Sequence, residues 1–292
     1  VKRPIRSTRP HIGLRDQADL HVHTTSSDGA YSPGDVISMA YEEGLIAVGI
    51  TDHDTIHGIA HGLEAGKDLS MEVIPGVEIS AGMGSHEVHI LGYYIDETNG
   101  ELVEKLERFQ NVRLDRIERM ITQLKTLGIN LDFQYVLSLA GEGAVGRPHV
   151  ARALVEYGYV GTMSEAFDTL IGDDKPGYVP RLRISPKDAI DLIHRSGGVA
   201  CWAHPGLESH DEWLEEFVSY GLDGLEIAHP EHSARETAQY RAMADRYTLL
   251  VTGGSDFHGG EIGGGPYLGQ CTTDYEDLNK LREAAFEIRR TG

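Results

Sequence analysis

Several short apolar runs in this 292-residue chain end at once in histidine or acid. Asp19-Leu20-His21-Val22-His23 is the first, and Thr51-Asp52-His53-Asp54 follows the run 45–50. Glu78 closes the run 73–77, His89 sits within 87–91, and His204 follows 199–203. Ser255-Asp256-Phe257-His258 is the last. Imidazole and carboxylate are the main N and O donors for Zn, Fe and Mn, so the pattern points to a metal site. Residues two apart in a strand share a face, so His21 and His23 can hold one ion together; Asp256 and His258 repeat that spacing. Asp28 falls beyond the first run, in a loop able to bend over the site. The carboxylate of Glu78, central in chain order, can bridge two ions. His86 and His89 face opposite sides in a period of two, so only one should ligate. A lone histidine on an apolar strand is more often a satisfied core or surface residue. It is the recurrence at successive strand ends that carries the metal reading.

Those runs are short enough to be buried strands. Ligand-type side chains at the carboxyl ends of many strands are what the rim of a (β/α) barrel would show. Strands are expected near 45–50, 71–79 and 88–95, after a first one ending at 19–23. Ser32-Pro33 and Ser185-Pro186 read as N-cap and N1 pairs opening helices to about 43 and 195. A weaker helix is expected over 57–69. The β-α-β-α-β rhythm implies parallel pairing. It breaks at 101–127, one long amphipathic helix stopped by Gly128, with further helices near 132–139, 148–157 and 164–170. The rhythm returns with strands at 199–203, 223–228 and 248–253, helices at 211–220 and 234–246, and a last helix over 275–289. The chain then divides into a tail (1–16), a barrel (17–100 and 178–292) and a helical insertion (101–177) that caps it, with roughly seven strands.

Composition narrows the partners. Hydrophobic residues make up 40%, enough for a full core, and no apolar run approaches the length that crosses a bilayer. The start carries Lys2, Arg3, Arg6, Arg9 and Arg15 without the apolar stretch of a secretory signal, and reads as a loosely held tail. Cys201 and Cys271 are far apart, which fits a reducing cytoplasm, with Cys201 buried in a strand. A formal charge of −20 argues against duplex nucleic acid, whose binding needs many cations on phosphates. The acid is uneven: residues 101–183 hold 11 Lys and Arg against 12 Asp and Glu, so that stretch is nearly neutral.

With these residues in view, the chain resembles the PHP (polymerase and histidinol phosphatase) family. The resemblance rests on Asp19–Thr24, Thr51-Asp52-His53-Asp54, Pro75-Gly76-Val77-Glu78, Ala203-His204-Pro205 and Ser255-Asp256-Phe257-His258. Ser27-Asp28-Gly29 and Gly146-Arg147-Pro148-His149 make it most similar to the TrpH/YciV-like phosphoesterases, and the likeness covers about residues 17–260. It implies a distorted (β/α)7 TIM-like barrel and three divalent ions, Mn, Fe or Zn. One would be held by His21, His23, Glu78 and Asp256, a second by Glu78, His89 and His204, and a third by Asp28, His53 and His258. The family pattern beside Ile90-Leu91-Gly92 selects His89 over His86. Asp28 stands where several relatives carry histidine, which makes the third site harder in character and admits Mg.

The resemblance further implies a phosphoesterase acting on small nucleotides, chiefly nucleoside 3′,5′-bisphosphates, with 5′–3′ trimming of short RNA beside it. A metal-bridging hydroxide would attack phosphorus, with His53, Asp256 and His258 at the reacting end. Arg147 and Lys175, in the insertion, are the expected phosphate contacts, with His232 beside them and Arg181 and Arg183 behind. Asp52 or Asp54 is expected to orient a ligand imidazole, helix capping being an equal reading for Asp54. His229 and His232 share the rim and suit a supporting or acid role. His11, His57, His61, His194 and His210 read as solvated. The alternatives are a histidinol-phosphate or general phosphomonoesterase, and a metal-binding module without activity. A monomer or weak homo-oligomer in the cytoplasm, free of membrane, completes the expectation.

Overall fold

The computed structural model describes residues 16–84, 86–141, 145–180, 183–259 and 266–291. Of the expectations above, tail residues 1–15, with His11, and Arg181 lie outside them. The first half runs β1 (Gln17–Val22), α1 (Pro33–Glu43), β2 (Ala47–Ile50), α2 (Ile59–Leu69), β3 (Glu72–Met83) and β4 (His86–Tyr93). Helices follow: α3 (Gly100–Thr126), α4 (Phe133–Ala140), α5 (Arg147–Glu156) and α6 (Met163–Ala166), with a π-helical turn at Phe167–Ile171. The second half runs α7 (Pro186–Arg195), β5 (Val199–Trp202), α8 (Pro205–Glu208), α9 (Trp213–Ser219), β6 (Gly224–Ala228), α10 (Ala234–Tyr247), β7 (Leu250–Gly253), β8 (Thr273–Asp274) and α11 (Tyr275–Thr291).

Local chemistry sets many of these bounds. Ser32 and Ser185 cap α1 and α7 as expected, each hydroxyl accepting from the backbone N–H three residues on, with proline at the first helical position. Gly44 ends α1 in the left-handed region at φ 84°, where glycine carries no Cβ penalty.

The strands form one sheet in the order β7-β6-β5-β4-β3-β2-β1-β8. It curls into a nearly closed barrel. Val22 bridges Phe257 just past β7, the Gly253 N–H donates to Thr273 Oγ1 in β8, and the His23 N–H donates to the Phe257 carbonyl. A Cβ on Gly254 would stand 2.3 Å from the His21 backbone nitrogen, so the seam closes on bare backbone.

Two expectations need correction. Parallel pairing holds for β1–β2–β3 and β5–β6–β7, but β4 is antiparallel to both neighbours. Two residues join β3 to β4, and a parallel crossover needs a dozen or so. An eighth strand, β8, pairs antiparallel with β1; at two residues it is too short for periodicity to reveal.

Apolar side chains gather in three clusters. Two belong to the barrel, one between sheet and helices and one inside around Leu20, Leu91, Tyr93 and Cys201. The third lies among the inserted helices, from Ile117 to Val179. Helix α3 is shared: Leu102 and Leu106 pack on the barrel, while Ile117, Met120 and Leu124 face the insertion. Cys201 is buried, and both cysteines are free. Among the described residues, no helix is long and apolar enough to cross a membrane.

Candidate metal centre and its rim

Every strand from β1 to β7 brings a polar side chain to one mouth of the barrel. His21 and His23 come from the end of β1, His53 from beyond β2, His204 from beyond β5, and Asp256 and His258 from beyond β7. Glu78 lies within β3. His89 lies early in β4, and because that strand runs backwards its start is at the same mouth.

Three groups of donor atoms result, each compact enough for a metal ion: His21, His23 and Asp256; His53, Glu78 and His89; and His23, Asp28, His53 and His258. In the first, the Nε2 atoms of His21 and His23 each lie 3.3 Å from Glu78 Oε2, and 3.4 and 3.0 Å from Asp256 Oδ1. The other Glu78 oxygen is 2.8 Å from His89 Nδ1 and 3.1 Å from His204 Nε2. At the rim, His258 Nε2 is 3.2 Å from Asp28 Oδ1, and His53 Nε2 is 3.9 Å from Asp28 Oδ2. His53 also turns Nδ1 to Glu78 Oε2 at 2.8 Å, so it stands between two groups. Glu78 occupies the centre and spans the groups, as a bridging carboxylate would.

The buried atoms His21 Nε2, His23 Nε2, His53 Nδ1 and Glu78 Oε2 have no hydrogen-bond partner, although they converge. Leaving such atoms unmatched is costly. A divalent cation with mixed N and O donors is the partner that fits them.

The charges are strongly coupled. Burial alone would lower the pKa values of His23 and His89, but the surrounding carboxylates push each up to about 10. Burial alone would raise Glu78, yet His53, His89, His21 and His204 hold it well below the usual carboxylate range. His53 is the exception: burial dominates and lowers it. Two non-glycine residues here have positive φ, His204 at 27° and Asp256 at 50°, a strained backbone typical of functional positions.

Orientation of the ligands comes from residues that sequence reasoning missed. Glu226, fully buried in β6, accepts from His21 Nδ1 through Oε1 at 3.1 Å and from the His204 N–H through Oε2 at 2.8 Å. Glu87 holds His89 Nε2 at 3.2 Å and is itself paired with Arg183 at 2.5 Å. Such carboxylates fix which imidazole nitrogen faces the site. The signal for Glu226 was an acid inside the apolar strand Gly224-Leu225-Glu226-Ile227-Ala228. Asp52 and Asp54, expected in this role, do other work. Asp52 accepts from the Thr24 N–H, Thr24 Oγ1 and Ser27 Oγ, shaping the loop that carries Asp28. Asp54 accepts from the Ser80 N–H and from Arg113 of α3.

On the rim, His229 donates from Nε2 to Asp256 Oδ2 at 3.4 Å and accepts the Glu231 N–H on Nδ1. His232 donates from Nδ1 to the Ile227 carbonyl and accepts the Gly206 N–H on Nε2, so backbone occupies both nitrogens and leaves neither for a phosphate. His258 donates from Nδ1 to the Asp256 carbonyl, which turns Nε2 to the site. His194 and His210 are not simply solvated: they pair with Asp223 and Glu212.

Arg147 begins α5, half-buried, paired with Asp173 at 2.7 Å and packed by Phe167 and Tyr178. It borders a cavity of about 160 Å³ whose other walls include Asp28, His53, His89, Arg113 and Arg116. It also borders a second cavity of about 660 Å³ above Glu78, His204 and Asp256, shared with Arg183 and Tyr178. Lys175 is exposed in the loop after the π-helical turn and is not among the residues lining either cavity. Arg113 and Arg116 were not marked in the sequence, because Val112 and Ile117 beside them carry the apolar pattern of α3 through this stretch.

Residues 19–166 match a family model described as the PHP domain. The chain is 38% identical over 247 residues to the 5′-3′ exoribonuclease Rnm of Escherichia coli, covering 82% of this chain and 84% of that one. It is 34% identical over 252 residues to the 3′,5′-nucleoside bisphosphate phosphatase of Chromobacterium violaceum, covering 84% and 88%. A crystal structure of a Bifidobacterium adolescentis protein, assigned as a metal-dependent phosphoesterase, superposes with a TM-score of 0.82 at 32% identity, over 91% of this chain and 96% of that one.

Proposed function

As this chain belongs to the PHP domain family and is a metal-dependent phosphoesterase, we propose that its substrates are nucleoside 3′,5′-bisphosphates, with short RNA trimmed from its 5′ end by the same site. The observation that carries this reading is the placement of Arg147. It borders two cavities that open onto the donor cluster, so a substrate with one phosphate at the metals can set a second phosphate on a fixed guanidinium. The names of the Chromobacterium violaceum and Escherichia coli relatives support the same two activities.

Three ions fit the donor geometry in this reading: one on His21, His23, Glu78 and Asp256, one on Glu78, His89 and His204, and one on Asp28, His53 and His258. When bound, such ions lower the pKa of water and neutralise charge on a phosphoryl group. The protein's own part is positional. Glu226 and Glu87 aim His21 and His89, Asp52 holds the loop of Asp28, and the insertion closes over the mouth. Arg147 binds the phosphate that does not react, and Arg113 and Arg116 make the wall beside it positive. His229, linked to Asp256, is placed to hold a proton at the rim.

The test is Arg147→Ala with the Mn-loaded protein. KM for adenosine 3′,5′-bisphosphate should rise at least about tenfold, the scale of one lost charge-assisted hydrogen bond. KM for a simple phosphomonoester should stay constant. An unchanged bisphosphate KM removes the second phosphate position.

A further inference from the structure

One wall of the larger cavity is not explained by phosphate chemistry. His86, exposed at the start of β4, borders that cavity together with Leu207 of α8. Leu207 is 43% exposed and is the one aliphatic side chain among the described residues lining it. The His86 ring is not loose. Trp213 meets it edge-on at 5.4 Å and His210 at 4.6 Å, while Trp213 and His210 stack on each other at 4.1 Å. A ring held this way loses little conformational freedom when a ligand arrives.

We propose that His86 and Leu207 form a nucleobase-binding wall; this rests on the nucleotide reading and extends it to the base. A flat, uncharged, π-bearing group suits a cavity lined by a fixed imidazole and an exposed leucine, and every base has such a face. Of the cavity's other rings, His53, His89 and His204 belong to the donor cluster, and Tyr178 already lies under the guanidinium groups of Arg116 and Arg147. His86 is three residues along β4 from His89, about 10 Å at the rise of a strand, and although the two alternate across the strand, both border this cavity. That is comparable to the span from a nucleotide's phosphate to its base. Because stacking tolerates any base, the wall would accept all four.

The experiment compares binding of AMP and of ribose 5-phosphate to the Mn-loaded protein by calorimetry. Wild type should bind AMP about tenfold more tightly than ribose 5-phosphate, as one stacked base would give. His86→Ala and Leu207→Ser should each remove much of that difference, with ribose 5-phosphate affinity and metal content unchanged. His86→Phe should keep the preference. Equal losses for both ligands, no loss for AMP, or no binding of either ligand would overturn the wall. Turnover of adenosine 3′,5′-bisphosphate is read separately. A chain that binds AMP through His86 but leaves the bisphosphate intact keeps the wall and loses the substrate assignment. Hydrolysis with unchanged AMP affinity in His86→Ala does the reverse.

Discussion

A single carboxylate inside β6 holds two of the candidate ligands in place. Glu226 uses one oxygen for His21 and the other for the strained backbone of His204, whose φ of 27° costs about 1–3 kcal/mol unless its surroundings hold it. Glutamine has one acceptor oxygen and would turn an amide N–H towards one of the two donors. Glu226→Gln should therefore weaken Mn binding about 10–100-fold, the usual cost of losing an outer carboxylate. Direct titration of the metal-free protein with Mn checks this, and an unchanged Kd would remove Glu226 from the site. The donors that gather at the barrel mouth were legible, because histidine and acid at the ends of apolar runs are conspicuous. Their supports were harder to see. Glu226 stands out only as an acid inside an apolar strand, and Glu87 looks like an ordinary acid, until the fold shows which imidazole nitrogens they face. The same holds for His232, whose position on the rim suggested a phosphate contact and whose nitrogens are both committed to backbone.

Among the elements, α7 and β6 are tied by one ion pair far from the site. His194 at the end of α7 lies 2.7 Å from Asp223, which also accepts the Ala200 N–H at the start of β5. The Asp223 hydrogen bond raises the His194 pKa above its ordinary 6.5, against the opposing effect of burial. A raised native pKa means the pair stabilises fully below about pH 6.5, the unfolded value, and fades as pH rises through the native one. His194→Gln should cost about 1 kcal/mol near pH 6 and much less at pH 9, measured as the difference in urea midpoint from wild type. A difference independent of pH would show that packing, not charge, holds α7. Capped helices such as α1 and α7 were readable from their Ser-Pro starts. The reversal of β4 was masked by the strong βα rhythm around it, and β8 was too short to signal. Helix α3 was half visible: its apolar stripe was clear, while Arg113 and Arg116, which border the smaller cavity, lay beside that stripe without a signal of their own.

Over the whole molecule, residues 101–183 are nearly neutral and the rest of the chain is acidic, with a dense group of buried charged side chains at the barrel mouth. Bound metal stabilises only the folded chain, so Mn at 100 times its Kd should add about 2.7 kcal/mol. For a chain of 292 residues this corresponds to roughly 4 °C in Tm. Calorimetric scans after chelation and with stepped Mn check it; a Tm indifferent to Mn would contradict a shared buried centre. The sequence by itself determined the inventory of donors, most of the element order and the barrel class, since these are written in local periodicity and residue type, while the phosphoester chemistry came from the resemblance to a known family. Only the tertiary structure decided that β4 runs backwards, that the seam closes at Gly254, and which nitrogen of each imidazole faces the centre. Those outcomes depend on contacts between distant parts of the chain, such as His21 with Glu226, 205 residues apart, and no local pattern carries them.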